Sequence, residues 1–288
     1  MNMKFVLQNI IYVILETTGI FIYLLSSLSV RIYALFDSAS HQQSKSDPKE
    51  GQQRSPCPFL NALCNDKHLP VSGSGVSMTC LLRACKKTTG INYLANILLL
   101  SSINFSFHGR INLSAKNVTF NIGDLGGASG HLSTEYDASL TRADYHDGCN
   151  SAFNHSLFNS LVKQANNGRL HFKDIAKVVR NRLLRSKTNN KHHVFGYFQK
   201  YNMWLMITLL LICFGDGKSI TLNSLEQLFI DEKLPQSTTH DRNLSLYDIE
   251  STRMNIMYDS GELNIEPGKL LQDITSPWTL YFSKNVKK

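Results

Sequence analysis

The chain lacks several patterns that would assign it to a familiar class. Its six cysteines include no C-x-x-C pair, which argues against a zinc ribbon. The net charge of +8, from 30 Lys and Arg against 22 Asp and Glu, is diffuse and is not combined with clustered aromatic residues, so nucleic-acid binding is not predicted. With 42% hydrophobic residues, the 288-residue chain instead suits a globular domain with an appendage.

A complete phosphate-binding loop is also missing. Gly217-Lys218-Ser219 matches the end of that motif, but the glycine required five positions before Gly217 is replaced by Ile212. The surrounding sequence is typical of a helix end and not of a strand followed by a loop and a helix. The sequence therefore gives no support to a nucleotide-binding function.

The N-terminal residues 5–36 are strongly apolar, with Glu16 as one of the few interruptions. This length exceeds the roughly 20 residues that a helix needs to span a bilayer. We predict an uncleaved membrane anchor over residues 1–36, with a cleaved signal peptide, which has a shorter apolar core, as the alternative. Residues 37–54 contain almost no apolar side chain, which predicts a flexible polar linker.

Two opposed signals leave the membrane orientation open. Arg31 lies near the end of the apolar segment and Lys45 and Lys49 follow it, whereas only Lys4 precedes it, which places the main domain in the cytosol by the positive-inside rule. Five N-x-S/T sequons point weakly to the secretory pathway. The prediction is a membrane-anchored or secreted protein of undetermined topology.

The rest of the sequence predicts a mainly α-helical domain over residues 55–270, followed by a polar tail over 271–288. Apolar residues recur with helical spacing, or in long runs, at 81–100, 154–166, 174–184 and 222–234. Residues 203–214 are apolar on every side but too few to span a bilayer, so we predict a buried core helix there. Pro235 is expected to stop the last of these helices.

The most informative local pattern is a cysteine between two prolines. Pro58 suits the first position of a helix, which places Cys57 at the N-cap, near unpaired backbone N–H groups and the positive end of the helix dipole. That position stabilises a thiolate, which acts as a nucleophile or a metal ligand. A structural cysteine in a turn is the other interpretation of residues 56–58 taken alone.

Residues 56–65, PCPFLNALCN, extend this pattern into a longer motif that continues through Leu69-Pro70, Gly73 and Gly75. The motif closely resembles the proximal signature of the chloroperoxidase and unspecific peroxygenase family, the haem-thiolate peroxidases, here of the short type. The resemblance implies that Cys57 is the axial ligand of a haem b iron, flanked by Pro56 and Pro58. The family's usual histidine and basic residue are replaced by Asp66 and Val71, which do not affect the ligand.

Residues 135–144, EYDASLTRAD, resemble the second signature of the same family. The resemblance implies that the Glu135 carboxylate, the Tyr136 carbonyl and the Ser139 hydroxyl hold Mg²⁺ or Mn²⁺ beside a haem propionate. All three are hard oxygen donors, which suit these cations. A capped helix N-terminus with Glu135 in its first turn is the alternative. Together with matches near residues 195–196 and 228–235, the resemblance covers roughly residues 55–240.

This chain has other residue types at the positions where the family carries its distal acid–base residues. Peroxide cleavage requires a group that takes and returns a proton. The family carries a Glu where this chain has Gln199, whose amide cannot titrate, and its short branch carries a His where this chain has Tyr136. His192, seven residues before Gln199, is a possible substitute. The alternative is that His192 and His193 form a polar loop pair.

These residues predict a haem-thiolate peroxidase or peroxygenase that oxidises a small organic substrate with hydrogen peroxide. Its candidate catalytic residues are Gln199, His192 and Tyr136. A catalytically impaired haem-binding paralogue is the first alternative, because Gln199 replaces the family's acid–base Glu. A membrane-anchored protein without haem, in which Cys57 is structural, is the second.

Overall fold

A computed structural model describes residues 53–106, 119–126, 137–193, 195, 197–235 and 242–262, and within these ranges the protein is mainly helical. The α-helices are α1 Pro58–Asn65, α2 Met78–Thr89, α3 Tyr93–Ser106, α4 His155–Val162, α5 Phe172–Asn189, α6 Tyr197–Phe214, α7 Leu222–Phe229 and α8 Leu246–Asp259. A short 3₁₀ helix covers Ile122–Leu125. The mainly α fold predicted from the sequence is therefore confirmed.

The strands are short and serve to fix where helices begin. β1 (Val76–Ser77) pairs antiparallel with β2 (Thr119–Phe120), and β3 (Arg169–His171) pairs antiparallel with β4 (Ser219–Thr221). The last residue of β3 is the N-cap of α5, and the last residue of β4 is the N-cap of α7. Because the register pairs His171 with Ser219 and Arg169 with Thr221, the two helices begin at opposite ends of this two-stranded sheet.

Helix boundaries follow local capping chemistry. The Ser77 hydroxyl accepts the N–H of Cys80 at the start of α2, and Gly90, with φ of 70°, ends that helix in the left-handed region. The apolar run predicted over residues 81–100 is consequently divided into α2 and α3. The helix predicted over residues 222–234 is shorter than expected. Helix α7 ends at Phe229, before Pro235 could stop it, and Glu232 has a positive φ of 49°.

Helix α6 lies at the centre of the core. Trp204 and Leu211 are fully buried and pack with apolar residues of α4, α5, α7 and α8. The opposite side of α6, including Leu205 and Ile212, packs against Ile91 at the start of the α3 region. Residues 203–214 thus form the predicted core helix, with Met206 as an exposed exception at 43%.

Among the helices that the structure describes, none combines the length and apolar character that a bilayer crossing requires. The anchor predicted over residues 1–36 lies outside the described ranges, as do nearly all of the linker predicted over 37–54 and the tail over 271–288. The boundaries of these segments stay predictions.

Candidate haem site

Cys57 occupies the N-cap of α1, directly before Pro58 at the first helical position. Its own N–H donates to the Ser55 hydroxyl at 3.1 Å, and its side chain makes no capping hydrogen bond to the helix. The residue lines a cavity of about 290 Å³. The structure thus places Cys57 at a helix start, as the sequence predicts, and also on the wall of a cavity.

The segment around Cys57 is held by a buried amide. The Asn61 side chain accepts the N–H of Ser55 at 2.8 Å and donates to the carbonyl of the same residue at 3.0 Å. It also donates to the Glu232 carboxylate at 2.6 Å. Because a buried amide that loses its partners costs free energy, this network restricts where the chain before Cys57 can lie.

The same network connects α1 to residues near the end of the recognised region. Asn65 donates to the carbonyl of Glu232 at 2.9 Å, and Arg54 approaches the Glu232 carboxylate at 3.5 Å. Asp66, which replaces the family's usual histidine, accepts the N–H of Leu234 at 2.8 Å. Residues 228–235 therefore fasten the start of α1, and Asp66 takes part in that fastening.

The cavity wall is predominantly aliphatic. Helix α6 contributes Leu205, Met206, Leu209 and Leu210, and the α3 region contributes Leu99 among others. An apolar space of this kind with a cysteine on its wall suits a flat hydrophobic macrocycle ligated through sulfur. The residues present therefore fit a haem.

Three cysteines line this cavity, and they differ in environment. Cys85 and Cys213 are buried within helices, and burial raises the pKa of each thiol to about 12. Nearby Cys57 and Cys213 raise the pKa of Cys85 further. Both thiols therefore stay protonated at neutral pH, whereas Cys57 faces a helix N-terminus that favours a thiolate.

The second motif reaches the same cavity. Ser139 lines the cavity together with Cys57, and the carbonyl of Ser139 accepts a hydrogen bond from Arg182 at 3.0 Å. Glu135 and Tyr136 lie outside the described residues. The cation site predicted from Glu135, Tyr136 and Ser139 therefore stays a prediction.

Arg142 joins the two motifs directly. It is 2% exposed, and its Nε donates to the carbonyl of Pro56 at 3.1 Å. Its guanidinium group also lies 5.6 Å from the centroid of the Phe153 ring. Because Pro56 precedes the cysteine, Arg142 helps to fix the chain that presents Cys57.

Behind Ser139 lies a buried polar cluster, which we define as Asp137, Asp144, Arg182, Ser186, Asn190 and His193. Asp144 accepts hydrogen bonds from the Ala138 N–H at 2.9 Å, from Arg182 at 3.0 Å and from Ser186. Burial alone would raise the pKa of Asp144, but these hydrogen bonds and the Arg182 charge outweigh it and hold the pKa below its ordinary value. Asp144 is therefore ionised at neutral pH.

Asp137 completes the acidic pair of the cluster. Its carboxylate accepts from the Asn190 amide at 3.1 Å and from the N–H of Tyr145 at 3.3 Å. Ligand atoms of Asp137, Asp144 and His193 lie within 4.8 Å of one another. A metal there would have to displace Arg182, Ser186 and Asn190 from the carboxylates, so we assign no metal to these residues.

The structure describes two of the three predicted catalytic residues, His192 and Gln199. His192 is exposed, and its ring lies 4.3 Å from that of His146. Gln199 is 3% exposed and lies in the first turn of α6, one turn before Asn202, which lines the cavity. Tyr136 is outside the described residues. The catalytic roles of these three residues therefore stay predictions.

The neighbouring histidine was missed by sequence reasoning. His193 is half-buried and its Nδ1 lies 2.7 Å from the Ser186 hydroxyl oxygen, inside the polar cluster. The motif at residues 135–144 contains Asp137 and Asp144, but no local pattern ties either carboxylate to a histidine some 50 residues later. Only the folding of α5 against the motif brings them together.

A mainly helical domain that presents a cysteine from a helix start to an apolar cavity has the arrangement of a haem-thiolate peroxidase. The family model described as peroxidase, family 2, matches residues 44–243, which is more than half of the chain. The chain belongs to this chloroperoxidase-like family of haem-thiolate peroxidases, and the resemblance found in its sequence is confirmed. An aromatic peroxygenase of Coprinellus radians is 26% identical over 220 residues, covering 70% of this chain and 83% of the relative.

Proposed function

We propose that this protein oxidises small organic substrates with hydrogen peroxide, using a haem b whose iron is ligated by Cys57. The observation that carries the proposal is the position of Cys57 at the N-cap of α1, on the wall of an apolar cavity that Ser139 also lines. Membership of a peroxidase family and similarity to a peroxygenase support the same class of reaction.

The residues around the cavity divide into those that hold the cofactor and those that enclose the substrate. A bound haem with a thiolate ligand supplies cleavage of the peroxide O–O bond. Ser55, Asn61 and Arg142 orient the chain that carries Cys57. Glu135, Tyr136 and Ser139 would hold Mg²⁺ or Mn²⁺, which offsets the charge of a haem propionate.

The substrate is best sought among apolar compounds. The side chains that α6 places on the cavity wall are mostly aliphatic, and the polar ones include the Asn202 amide. The relative's name identifies it as an aromatic peroxygenase, so small aromatic compounds are the first substrates to test here.

The absorption spectrum of the reduced, carbon monoxide-bound protein tests the proposal. A red-shifted Soret band reports thiolate ligation, and peroxide-dependent oxidation of a phenolic dye reports turnover. A haem-loaded protein without the red-shifted band would contradict the thiolate assignment. If the protein is colourless when it is expressed with ample porphyrin, it binds no haem and the proposal is wrong.

A catalytically impaired haem-binding protein is the second candidate, because Gln199 cannot act as the acid–base group that the family places there. It predicts a normal thiolate spectrum without dye oxidation. The same spectrum with turnover supports the first candidate.

The N-terminal segment is part of the proposal. We propose that residues 1–36 anchor the protein to a membrane of the secretory pathway, and that residues 37–54 separate the catalytic domain from that membrane. The polar residues 271–288 would form a tail after a domain that extends to about residue 270.

A further inference from the structure

Helix α6 presents a polar amide on a face that is otherwise apolar along the cavity wall. Asn202, Leu205, Met206 and Leu209 all line the cavity. Their spacing of three and four residues places them on one face of the helix. Asn202 is the first residue of this face, and a polar group placed in an apolar pocket fixes the orientation of the ligand that binds there.

The two ends of α6 lie at different parts of the cavity. The Phe59 ring of α1 contacts the Phe214 ring at the C-terminal end of α6, with centroids 5.7 Å apart, and both residues line the cavity. Cys57 precedes Phe59 by two residues, so the proposed iron ligand lies near that end. Asn202 lies about three helical turns from Phe214, or roughly 18 Å along the axis. The Asn202 end of the cavity is therefore remote from the iron ligand.

The family resemblance agrees with this placement. Gln199, which is 3% exposed, occupies the position of the family's acid–base residue and lies about one turn before Asn202. The residue at that position moves a proton of the peroxide, so the resemblance places the start of α6 on the side of the haem where peroxide and substrate meet.

The Asn202 amide is available to a ligand. Its side chain is partly buried and forms no hydrogen bond with any residue that the structure describes. The other asparagine on the wall differs, because Asn96 is 2% exposed and its amide donates to the Ile91 carbonyl at 2.8 Å. A polar group that loses water without gaining a partner costs free energy. A ligand that fills the cavity beside Asn202 therefore binds more tightly if it brings a hydrogen-bonding group.

We propose that Asn202 binds a hydroxyl group of the substrate, which makes a small apolar compound with one hydroxyl group the preferred substrate class. The inference deepens the function proposed above and rests on it. An amide and a hydroxyl group can each donate and accept a hydrogen bond, so the two groups match. With its hydroxyl group held at Asn202, the substrate directs its apolar end towards the part of the cavity that Cys57 lines.

Two compounds of nearly equal shape test the proposal without turnover. The compound p-cresol carries a hydroxyl group where p-xylene carries a methyl group. Their dissociation constants are measured without peroxide on the full chain loaded with ferric haem, from the change in Soret absorption and by calorimetry. The selectivity is the ratio of the two constants. Asn202→Leu should lower the selectivity for p-cresol about 10-fold, because the hydroxyl group loses its partner.

Two further variants control for the shape of the cavity. Asn202→Ala also removes the amide but avoids the bulk of leucine, and should lower the selectivity to a similar extent. Met206→Leu changes the same face of α6 without changing a polar group, and should retain the wild-type selectivity. The thiolate spectrum of each variant reports whether its haem site is intact.

The outcomes separate this inference from the function on which it rests. Unchanged selectivity in Asn202→Leu and Asn202→Ala, with intact thiolate spectra, would overturn the inference although the haem-thiolate function stands. If Asn96→Ala lowers the selectivity and Asn202→Ala does not, the hydroxyl group binds at Asn96 and the inference is likewise wrong. A wild-type protein without a thiolate spectrum contradicts the function proposed above, and the inference is then wrong as well.

Discussion

At the scale of single residues, the three cysteines on the cavity wall share a location but not a chemical state. Cys85 and Cys213 are held as neutral thiols, with a pKa of about 12 raised by burial. Cys57 differs because it lies at a helix start, half-buried and next to Pro58. The position of a cysteine along its helix, and not its distance from the cavity, decides which sulfur can ligate a metal.

This difference predicts the result of two matched substitutions. Cys57→Ala should abolish the red-shifted Soret band of the reduced, carbon monoxide-bound protein, because the thiolate donor is lost. Cys85→Ala removes another cavity thiol and should retain the band. Absorption spectra of both variants, normalised to haem content, check the prediction. A red-shifted band in Cys57→Ala would show that another group ligates the iron.

The polar cluster makes the folded protein less stable as the pH falls. The pKa of His193 is lowered by burial, so the unfolded chain takes up its proton at a higher pH than the folded protein does. The pKa of Asp144 lies below its ordinary value despite the opposing effect of burial, so its contribution is present above that value and is lost as the pH falls through the folded pKa. Both groups destabilise the fold in acid.

We therefore expect the midpoint of urea unfolding to fall as the pH is lowered from neutral through the ordinary histidine pKa, and to fall again near the aspartate range. His193→Gln should remove the first decrease and leave the second. Unfolding of wild type and variant across this range, followed by circular dichroism, gives the comparison. An identical pH dependence in both proteins would contradict the contribution of His193.

Sequence reasoning located Cys57 but missed His193, and the reason is physical. The position of Cys57 follows from adjacent residues, because Pro58 starts a helix and so defines the N-cap. The position of His193 beside Ser186 and Asp144 depends on the whole length of α5, which ends beside the second motif. Contacts made by tertiary folding leave no local pattern, so the sequence analysis selected His192 and not His193.

At the scale of elements, α6 has two functions that different residues perform. Leu211 is fully buried in the main core, whereas Met206 is 43% exposed and lines the cavity. The apolar sequence of residues 203–214 predicted burial of the helix, but an almost uniform run of apolar residues does not reveal which side faces a cavity. Packing against α3 and α1 defines that side.

Two truncations on α6 separate these functions. Leu211→Ala should lower the free energy of unfolding by about 2–5 kcal/mol, since it leaves a cavity in a packed core. Met206→Ala should change it by about 0.5 kcal/mol or less, because the side chain is partly in solvent, and should alter the KM for apolar substrates. Urea unfolding and substrate kinetics measure the two effects. A larger stability loss in Met206→Ala than in Leu211→Ala would contradict the assignment.

Turns account for most differences between the predicted and observed helices. Gly90 adopts φ of 70° and divides the run at 81–100 into α2 and α3, which a continuous apolar pattern does not indicate. The end of α7 at Phe229 allows Glu232 to turn back towards Asn61. Both departures serve the site, because the first places α3 along the cavity and the second fastens the start of α1.

At the scale of the whole molecule, the cavity is assembled from parts far apart in the chain. The two motifs recognised in the sequence both contribute to its wall, through Cys57 and Ser139, and Arg142 bonds one motif to the other. The motifs identify the family, yet they do not contain the aliphatic residues of α6 and the α3 region that complete the wall. The size and character of the cavity could therefore be read only from the fold.

The N-terminal segment leads to a prediction about the membrane association of the whole molecule. If residues 5–36 span a bilayer, the full chain should sediment with membranes and resist extraction by alkaline carbonate, because an apolar helix of roughly 20 residues would lie in the hydrocarbon region. A chain starting at residue 37 should be released into the supernatant with its thiolate spectrum unchanged. The intact mass of the mature protein tells an anchor from a cleaved signal peptide, since cleavage would leave a shorter chain. Extraction of the full-length chain by carbonate would show that the segment does not span the membrane.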